Sequence, residues 1–144
     1  MLALSSLHKL LAQVLVPPAL HTAVLFSSSG ALVSFASIGA RPKDDIRVLV
    51  GLASEIWAET WEDGEGMVDS ELGRIVVLPV ASLQDTHSQR EPMLLIVLNA
   101  TDSVEWGELQ RKGQSLASHL ARPLQQLQDK MGSPAPVSSK NGRR

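Results

Sequence analysis

Four histidines, His8, His21, His87 and His119, are the only side chains here whose ordinary pKa suits proton transfer near neutral pH. They are scattered along the chain, and none has the H-x-x-x-H spacing that puts two metal ligands on one helix face. His87 lies in a polar segment close to Asp85 and is interpreted as a solvated loop residue. Because cysteine is absent, the chain has neither a thiol nucleophile nor a thiolate metal site. The sequence therefore predicts no catalytic residue and no metal site.

Two segments resemble ligand-binding loops only in part. The stretch "SSSG", residues 27–30, lacks the second glycine, the lysine and the following helix of a phosphate-binding loop. It separates two β-rich runs, so it predicts a hairpin turn in which Gly30 supplies a positive φ. The stretch "EDGEGMVD", residues 62–69, has the acids of a calcium loop without its order of ligands, and it is predicted to be a surface turn. No cofactor is expected.

The composition is that of one domain without a strong electrostatic field. The chain has 144 residues, with 13 basic and 15 acidic side chains and a formal net charge of −2. That balance excludes an electrostatic attraction to nucleic acid or to an anionic membrane. No window approaches the roughly 18 apolar residues of a membrane span, so direct membrane insertion is not expected. The absence of cysteine fits a reducing compartment.

Apolar periodicity predicts three helices. The first covers residues 3–15 and is stopped by the proline pair that follows it, and the second covers 45–61. The third covers 103–128 and is predicted to be broken or kinked at Pro123. The remaining segment, 129–144, is rich in Pro, Ser and basic residues and is predicted to be a disordered tail.

The strands are predicted between these helices. "HTAVLF" and "ALVSFAS" predict a hairpin, and residues 71–83 predict one or two strands with a bend at Pro79. "PMLLIVLNA" is apolar on both faces and predicts a central strand. Short loops pair such strands antiparallel, which predicts an α+β domain over residues 1–128 with helices on both faces of one sheet.

The second helix carries apolar residues on more than one side. Its main stripe consists of Leu49, Ala53, Ile56 and Trp57. Val48, Leu52 and Trp61 lie well round the helix from that stripe, which predicts that the helix is covered on two sides. For Trp61 we expect partial exposure or contact with a partner, because tryptophan is enriched at interfaces.

The quoted segments resemble the roadblock/dynein light-chain family. The similar stretches are "TAVLFSSSGALVSFASIG", "IRVLVGLASEIWAETWEDG" and "LLIVLNATDSVEWGELQRKGQSLASHLARPLQQL". Among family members they are most similar to a roadblock subunit of Ragulator, the late endosomal and lysosomal scaffold whose fungal counterpart is the vacuolar EGO complex. The resemblance implies a profilin-like, five-stranded antiparallel sheet with two terminal helices on one face and the central helix on the other.

The resemblance also implies how the chain pairs. Roadblock domains pair through the central helix and a neighbouring edge strand, here assigned to "RIVVLPV", residues 74–80. Gly51, Ala53, Ser54 and Ala58 suit this role because small side chains let a second helix approach closely. The complete expected interface is Val50, Gly51, Ala53, Ser54, Trp57, Ala58, Trp61, Arg74, Val76 and Leu78.

The implied function is that of a non-enzymatic scaffold subunit. Its expected partners are a second roadblock-domain protein in a heterodimer, a lipid-anchored scaffold subunit, and Rag-type small GTPases in nutrient signalling to TOR. Its expected location is the cytoplasmic face of the late endosome, lysosome or vacuole, held there through partners. Two alternatives stay open: a dynein light chain or other small-GTPase regulator of the same family, and a PAS-like or GAF-like sensor of a small ligand.

Overall fold

The computed structural model describes residues 4–39, 41–80 and 94–132. In chain order the elements are α1 (Leu4–Val14), β1 (Leu20–Ser27), β2 (Leu32–Ser37), α2 (Lys43–Thr60), a short 3-10 helix (Trp61–Asp63), β3 (Gly66–Ser70), β4 (Gly73–Pro79), β5 (Leu94–Ala100) and α3 (Trp106–Gly132). The predictions for His87 and for a tail over 133–144 lie outside the described residues.

The strands form one antiparallel sheet in the order β2-β1-β5-β4-β3. β5 is the middle strand, as predicted from its apolar run, and residues 95–100 are buried. Gly30 lies in the β1–β2 turn with φ 92°, which confirms the predicted hairpin. β2 and β3 are the two edge strands.

Helices cover both faces of the sheet. On one face α1 and α3 pack against alternate strand residues, with Leu7, Leu11, Leu109, Leu116 and Leu120 in the core. On the other face α2 packs against the intervening strand residues, with Ile46, Leu49, Val50, Ala53, Ile56 and Trp57 in the core. This α+β arrangement confirms the predicted fold, with the terminal helices on one face and the central helix on the other.

One strand was assigned to the wrong place in the sheet. Residues 74–80, expected to form the edge, lie mostly in β4, which pairs with β5 on one side and β3 on the other. The edge is β3, within a segment that was predicted to be a surface turn. Glu71 and Leu72 make the turn to β4, and Gly73 follows with φ 105°. The many acids and glycines around β3 concealed a strand of only five residues.

The last helix is longer than predicted. α3 runs from Trp106 to Gly132, past the predicted end at 128, and it is not broken at Pro123. The first turn of this helix follows a short turn in which Val104 N donates to Thr101 O at 3.3 Å. α3 therefore occupies the first four residues of the segment assigned to a tail.

A buried polar cluster fixes the chain just before α2. Arg41 Nη1 donates to Asn99 Oδ1 at 3.0 Å and to Thr22 Oγ1 at 3.1 Å. Asn99 Nδ2 donates to Leu72 O at 2.9 Å and to Arg74 O at 3.2 Å. The Asn99 and Thr22 side chains have no exposed surface. One amide thus connects the entry to α2, the middle strand and the β3–β4 turn.

We predict that Asn99→Ala destabilises the domain by about 2 kcal/mol, because it leaves buried donors and acceptors without partners. Urea unfolding followed by circular dichroism measures the change. Gln13→Ala, which truncates an exposed amide on α1, is the matched control and should change the free energy of unfolding by less than about 0.5 kcal/mol. Equal effects would contradict a structural role for the amide.

His21 makes stability depend on pH. Burial lowers the pKa of His21 from its ordinary 6.5, and the neighbouring Arg41 guanidinium lowers it further. The unfolded chain therefore binds the proton more readily than the folded chain. The contribution of the neutral imidazole is complete above the unfolded pKa and is lost as pH falls toward the folded pKa.

We predict that the melting temperature falls between about pH 7.5 and about pH 5, and that His21→Gln reduces this fall. His119→Gln, on the exposed side of α3, should leave the fall unchanged. Differential scanning fluorimetry across this pH range measures it. A fall of the same size in His21→Gln and in the parent chain would refute the assignment.

Candidate partner interface

The two edges of the sheet differ in how open they are. Ile38 N donates to His21 O at 2.9 Å, so by antiparallel alternation the Phe35 carbonyl points away from β1. His8 Nδ1 of α1 donates to that carbonyl at 2.9 Å. Ser37 Oγ, at the end of β2, accepts from Arg41 N at 3.2 Å. Side chains and the following segment therefore occupy part of the β2 edge.

The outer edge of β3 is unpaired among the described residues. No described strand pairs with the outer side of β3, and every second residue directs its N–H and C=O toward that side. Met67 is 45% exposed, and its cross-strand partner Val76 places it on the α1/α3 face. Val68 is half-buried and packs with the α2 cluster on the opposite face. An apolar strand with free backbone groups is a template for strand addition.

Helix α2 has two different flanks. A Cβ at Gly66 of β3 would contact Ile56 and Thr60, whereas a Cβ at Gly30 of the β1–β2 turn would lie 3.9 Å from Ser54 Oγ. At about 100° per residue, Val48 and Leu52 lie on the β3 side, here called the edge flank. The opposite side, here called the turn flank, is formed by Arg47, Gly51, Ser54 and Ala58.

The edge flank and β3 together form a continuous candidate interface. Val48 is 63% exposed, and Leu52 is half-buried beside the apolar cluster that also includes Val68. Val48, Leu52 and Val68 thus present apolar surface on the α2 face of this edge, and Met67 presents it on the opposite face. Val48 and Leu52 are two of the three off-stripe residues of the predicted second helix, and β3 is the strand that the sequence concealed. A second sheet added at β3 would cover both.

Six of the predicted interface residues pack within the chain's own fold. Val50, Ala53 and Trp57 are buried between α2 and the sheet, because they lie on the inward side of the helix. Val76 and Leu78 are buried beneath α1 and α3, since β4 is an inner strand.

Arg74, the sixth, is held by the last helix and the turn before it. Its guanidinium lies 4.7 Å from the centroid of the Trp106 ring, and its Nη1 donates to Val104 O at 2.8 Å. The expectation that β4 offers these side chains at an edge is therefore wrong.

The other four predicted residues reach the surface, and three of them lie on α2 away from β3. Gly51 and Ala58 are exposed, Ser54 is half-buried, and all three lie on the turn flank or on the outermost side of α2. Trp61, in the 3-10 helix, is 49% exposed, in agreement with the expectation of partial exposure. Of the four small residues singled out in the sequence, Gly51, Ser54 and Ala58 reach the surface of α2 away from β3, and Ala53 is buried against the sheet.

Acidic charge dominates this end of the molecule. From Val48 to Gly73 the ionisable side chains are all carboxylates: Glu55, Glu59, Glu62, Asp63, Glu65, Asp69 and Glu71. Glu65 accepts hydrogen bonds from Gln110 and Gln114 of α3, which ties the start of β3 to that helix. The open edge is therefore bordered by negative charge.

Neither a metal cluster nor a membrane span is found in the described ranges. Within residues 4–39, 41–80 and 94–132, no three His, Asp or Glu side chains converge as metal ligands. No helix there is long and apolar enough to cross a bilayer. The most distinctive surface in these ranges is the α2–β3 interface.

The fold is similar to that of Roadblock/LC7 domains, although no protein-family model matches the chain. The Roadblock/LC7 domain from Streptomyces avermitilis gives a TM-score of 0.61 at 18% identity, covering 83% of this chain and 97% of that one. MglB of Myxococcus xanthus gives 0.62 at 8% identity, covering 88% and 95%. Gliding protein MglB of Thermus thermophilus gives 0.56 at 17% identity, covering 83% and 91%. The chain thus has the Roadblock/LC7 fold.

We predict that an arginine substitution on the inward side of α2 destabilises the domain, whereas one on its exposed side does not. Ala53→Arg should destabilise the domain by more than about 3 kcal/mol, because it buries an uncompensated charge. Val48→Arg should change the free energy of unfolding by less than about 0.5 kcal/mol, because the site is exposed. Chemical unfolding of both variants measures this. A folded, stable Ala53→Arg protein would contradict the assigned inward face.

Proposed function

We propose that this chain is a roadblock-family scaffold subunit without enzymatic activity, and that it pairs with a second roadblock-domain protein through β3 and the edge flank of α2. The observation that carries the proposal is the open β3 edge lying beside exposed Val48 and half-buried Leu52. Main-chain hydrogen bonds would extend the sheet, and the apolar side chains would be removed from water. This pairing would cover the edge flank of α2, while the inward side of the helix packs on its own sheet.

Charge supports a different chain, rather than a second copy, as that partner. A two-fold pairing of identical β3 edges would bring two acidic borders together, including Asp69 of each copy, and like charges directly opposite are destabilising. A partner with basic residues along its edge strand would remove this repulsion. The proposal is therefore a heterodimer.

The wider setting is a proposal on the same basis. The segments quoted from α2 and α3 are similar to those of a Ragulator roadblock subunit, and the fold is the Roadblock/LC7 fold. We propose that the heterodimer sits in a Ragulator-like or EGO-like complex with a lipid-anchored subunit and presents a platform to Rag-type GTPases upstream of TOR. The location would be the cytoplasmic face of the late endosome, lysosome or vacuole, reached through partners.

The second candidate is a small-GTPase regulator of the bacterial type or a dynein light chain. The fold similarity to MglB supports the first of these, because the same sheet and helices occur there. The sensor alternative gains little support, because strand residues 95–98 are buried against helices on both faces. Affinity purification of the tagged chain from its native cells separates the candidates. Co-purification of Rag-type GTPases and a lipidated subunit would support the proposal. Co-purification of dynein intermediate chain would support the alternative.

We predict that Val48→Arg and Met67→Pro each abolish the heterodimer while leaving the domain folded. The first places a charge in the apolar contact, and the second removes a backbone donor and restricts the edge strand. Co-expression with candidate roadblock proteins followed by size-exclusion chromatography measures complex formation. Ser118→Arg, exposed on α3, should leave the complex intact. Complexes that survive both substitutions would refute the placement of the interface.

A further inference from the structure

The turn flank of α2 borders a groove on the side of the helix away from β3. The groove has a volume of about 470 Å³ and lies between α2 and the β1–β2 turn. Leu32 and Val50 line it with apolar surface, and Lys43 and Arg47 line it with cationic side chains. Its volume is within the range of about 300–1,000 Å³ that is typical of ligand pockets. The groove therefore offers apolar surface and positive charge to the same ligand.

The two cations of the groove are free to bind an anion. Among the described residues Lys43 forms no ion pair. Arg47 Nη1 lies 4.0 Å from Asp44 Oδ1, and these side chains are 65% and 93% exposed, so water screens this ion pair. Lys43 and Arg47 are four residues apart and therefore neighbour each other on one side of α2. A carboxylate placed there would accept charge-assisted hydrogen bonds from both.

Gly51 lines the groove, although the fold itself does not require a glycine there. It lies inside the 18-residue helix α2, where glycine is less favourable than alanine. A Cβ at this position would have no atom within 4 Å, and the backbone does not have a positive φ. Neither crowding nor backbone conformation thus explains the glycine. The missing side chain does let the backbone of a ligand approach the helix closely.

The length of the groove matches a short stretch of extended chain. Its lining on α2 runs from Lys43 to Ser54, which lies 11 residues later. At 1.5 Å rise per residue this distance is about 17 Å along the helix axis. An extended chain advances about 3.3 Å per residue, so about five residues span the groove.

We propose that this groove binds a short, extended segment of a partner protein in which acidic residues lie next to an apolar side chain. The acidic residues pair with Lys43 and Arg47, near the start of α2. The apolar side chain packs on Leu32 and Val50, and the backbone of the segment passes over Gly51. Charge complementarity and apolar burial thus select the same kind of segment.

The surroundings of the groove favour such a peptide over an anionic lipid headgroup. The chain has a formal net charge of −2, and Asp44 and Asp45 follow Lys43 directly, so an anionic membrane surface does not attract this side strongly. A phosphate group would use the two cations but would leave Leu32 and Val50 in water. An acidic segment with an apolar side chain uses both parts of the groove.

The proposed peptide site is separate from the proposed heterodimer interface. The turn flank and the edge flank lie on opposite sides of α2, so a chain that is paired through β3 keeps its groove accessible. The inference does not depend on which protein pairs at β3. Both sites can be occupied at the same time.

Peptide selection on the full chain tests the proposed site. A phage-displayed library of random short peptides is selected on the immobilised protein, and enriched sequences are synthesised with a fluorescent label. We expect the enriched peptides to carry acidic residues beside an apolar one. Fluorescence anisotropy then measures the dissociation constant of each labelled peptide.

Variants of the groove should weaken binding of these peptides. Lys43→Glu and Arg47→Glu should each raise the dissociation constant at least about tenfold, because each places like charges together. Gly51→Gln should raise it as much by filling the groove, without lowering the midpoint of urea unfolding. Lys9→Glu on α1 and Arg111→Glu on α3 reverse exposed charges elsewhere and should leave binding unchanged.

Several results would overturn the inference. These are a selection that enriches no peptide, enriched peptides without acidic residues, and equal affinity for the parent chain and Arg47→Glu. Val48→Arg should abolish the heterodimer and leave peptide binding unchanged, so loss of both would place the peptide site at β3 instead. Binding to phosphatidylserine vesicles that Arg47→Glu abolishes, without binding of any peptide, would assign the groove to a lipid and overturn the proposal.

Discussion

Burial of both faces of β5 is the constraint on which the rest of this structure depends. A central strand that is apolar on both sides requires a layer above and a layer below, because apolar surface left in water loses the main favourable contribution to folding. Among the described residues, α1 and α3 supply one layer and α2 is the helix that supplies the other. A single helix covers a five-stranded sheet incompletely, so this second layer leaves apolar residues at its margins. Val48 and Leu52 lie at one of those margins.

The polar cluster around Asn99 holds the chain just before α2. Arg41 reaches from the segment before the helix to β1 and β5, and the same Asn99 amide holds the carbonyls of the β3–β4 turn. The entry to α2 and the turn that orients the open strand are thus connected through one buried side chain. Networks of this kind stabilise only when every member is satisfied, and they then favour a single arrangement. The geometry of the candidate interface follows from this internal connection.

The sequence was sufficient for the architecture and insufficient for the location of the edge. Long periodic segments such as 45–61 and the continuous run "PMLLIVLNA" determine their own structure, because burial on one or two faces requires that pattern. β3 carries only Met67 and Val68 as apolar signal among acids and glycines, and its pairing depends on β4 across a tight turn. A short strand held mainly by pairing with its neighbour shows no periodic pattern of apolar residues in the sequence. Assigning the edge to the more apolar 74–80 was therefore the natural error.

The same reason explains what the sequence could and could not predict about the surface of α2. The presence of extra apolar residues on α2 is a local property of the helix, and it was visible in the residues themselves. Which flank faces the open strand depends on how the helix lies on the sheet, and contacts such as those of Gly66 and Gly30 determine it. Ala53 and Trp57 suit both environments, because small and aromatic residues occur in cores and at interfaces. Only the packed structure separates the two environments.

The hydrogen bond between His8 and Phe35 affects whether sheets can add to one another edge to edge. A sheet with two unpaired edge strands can polymerise, because every added sheet exposes another unpaired edge strand. Here His8 and the segment before α2 occupy part of the β2 edge, so β3 is the more accessible edge for strand addition. Joining two such sheets at β3 leaves a partly occupied β2 edge at each outer end. Pairing at β3 therefore favours a pair of sheets over continued growth.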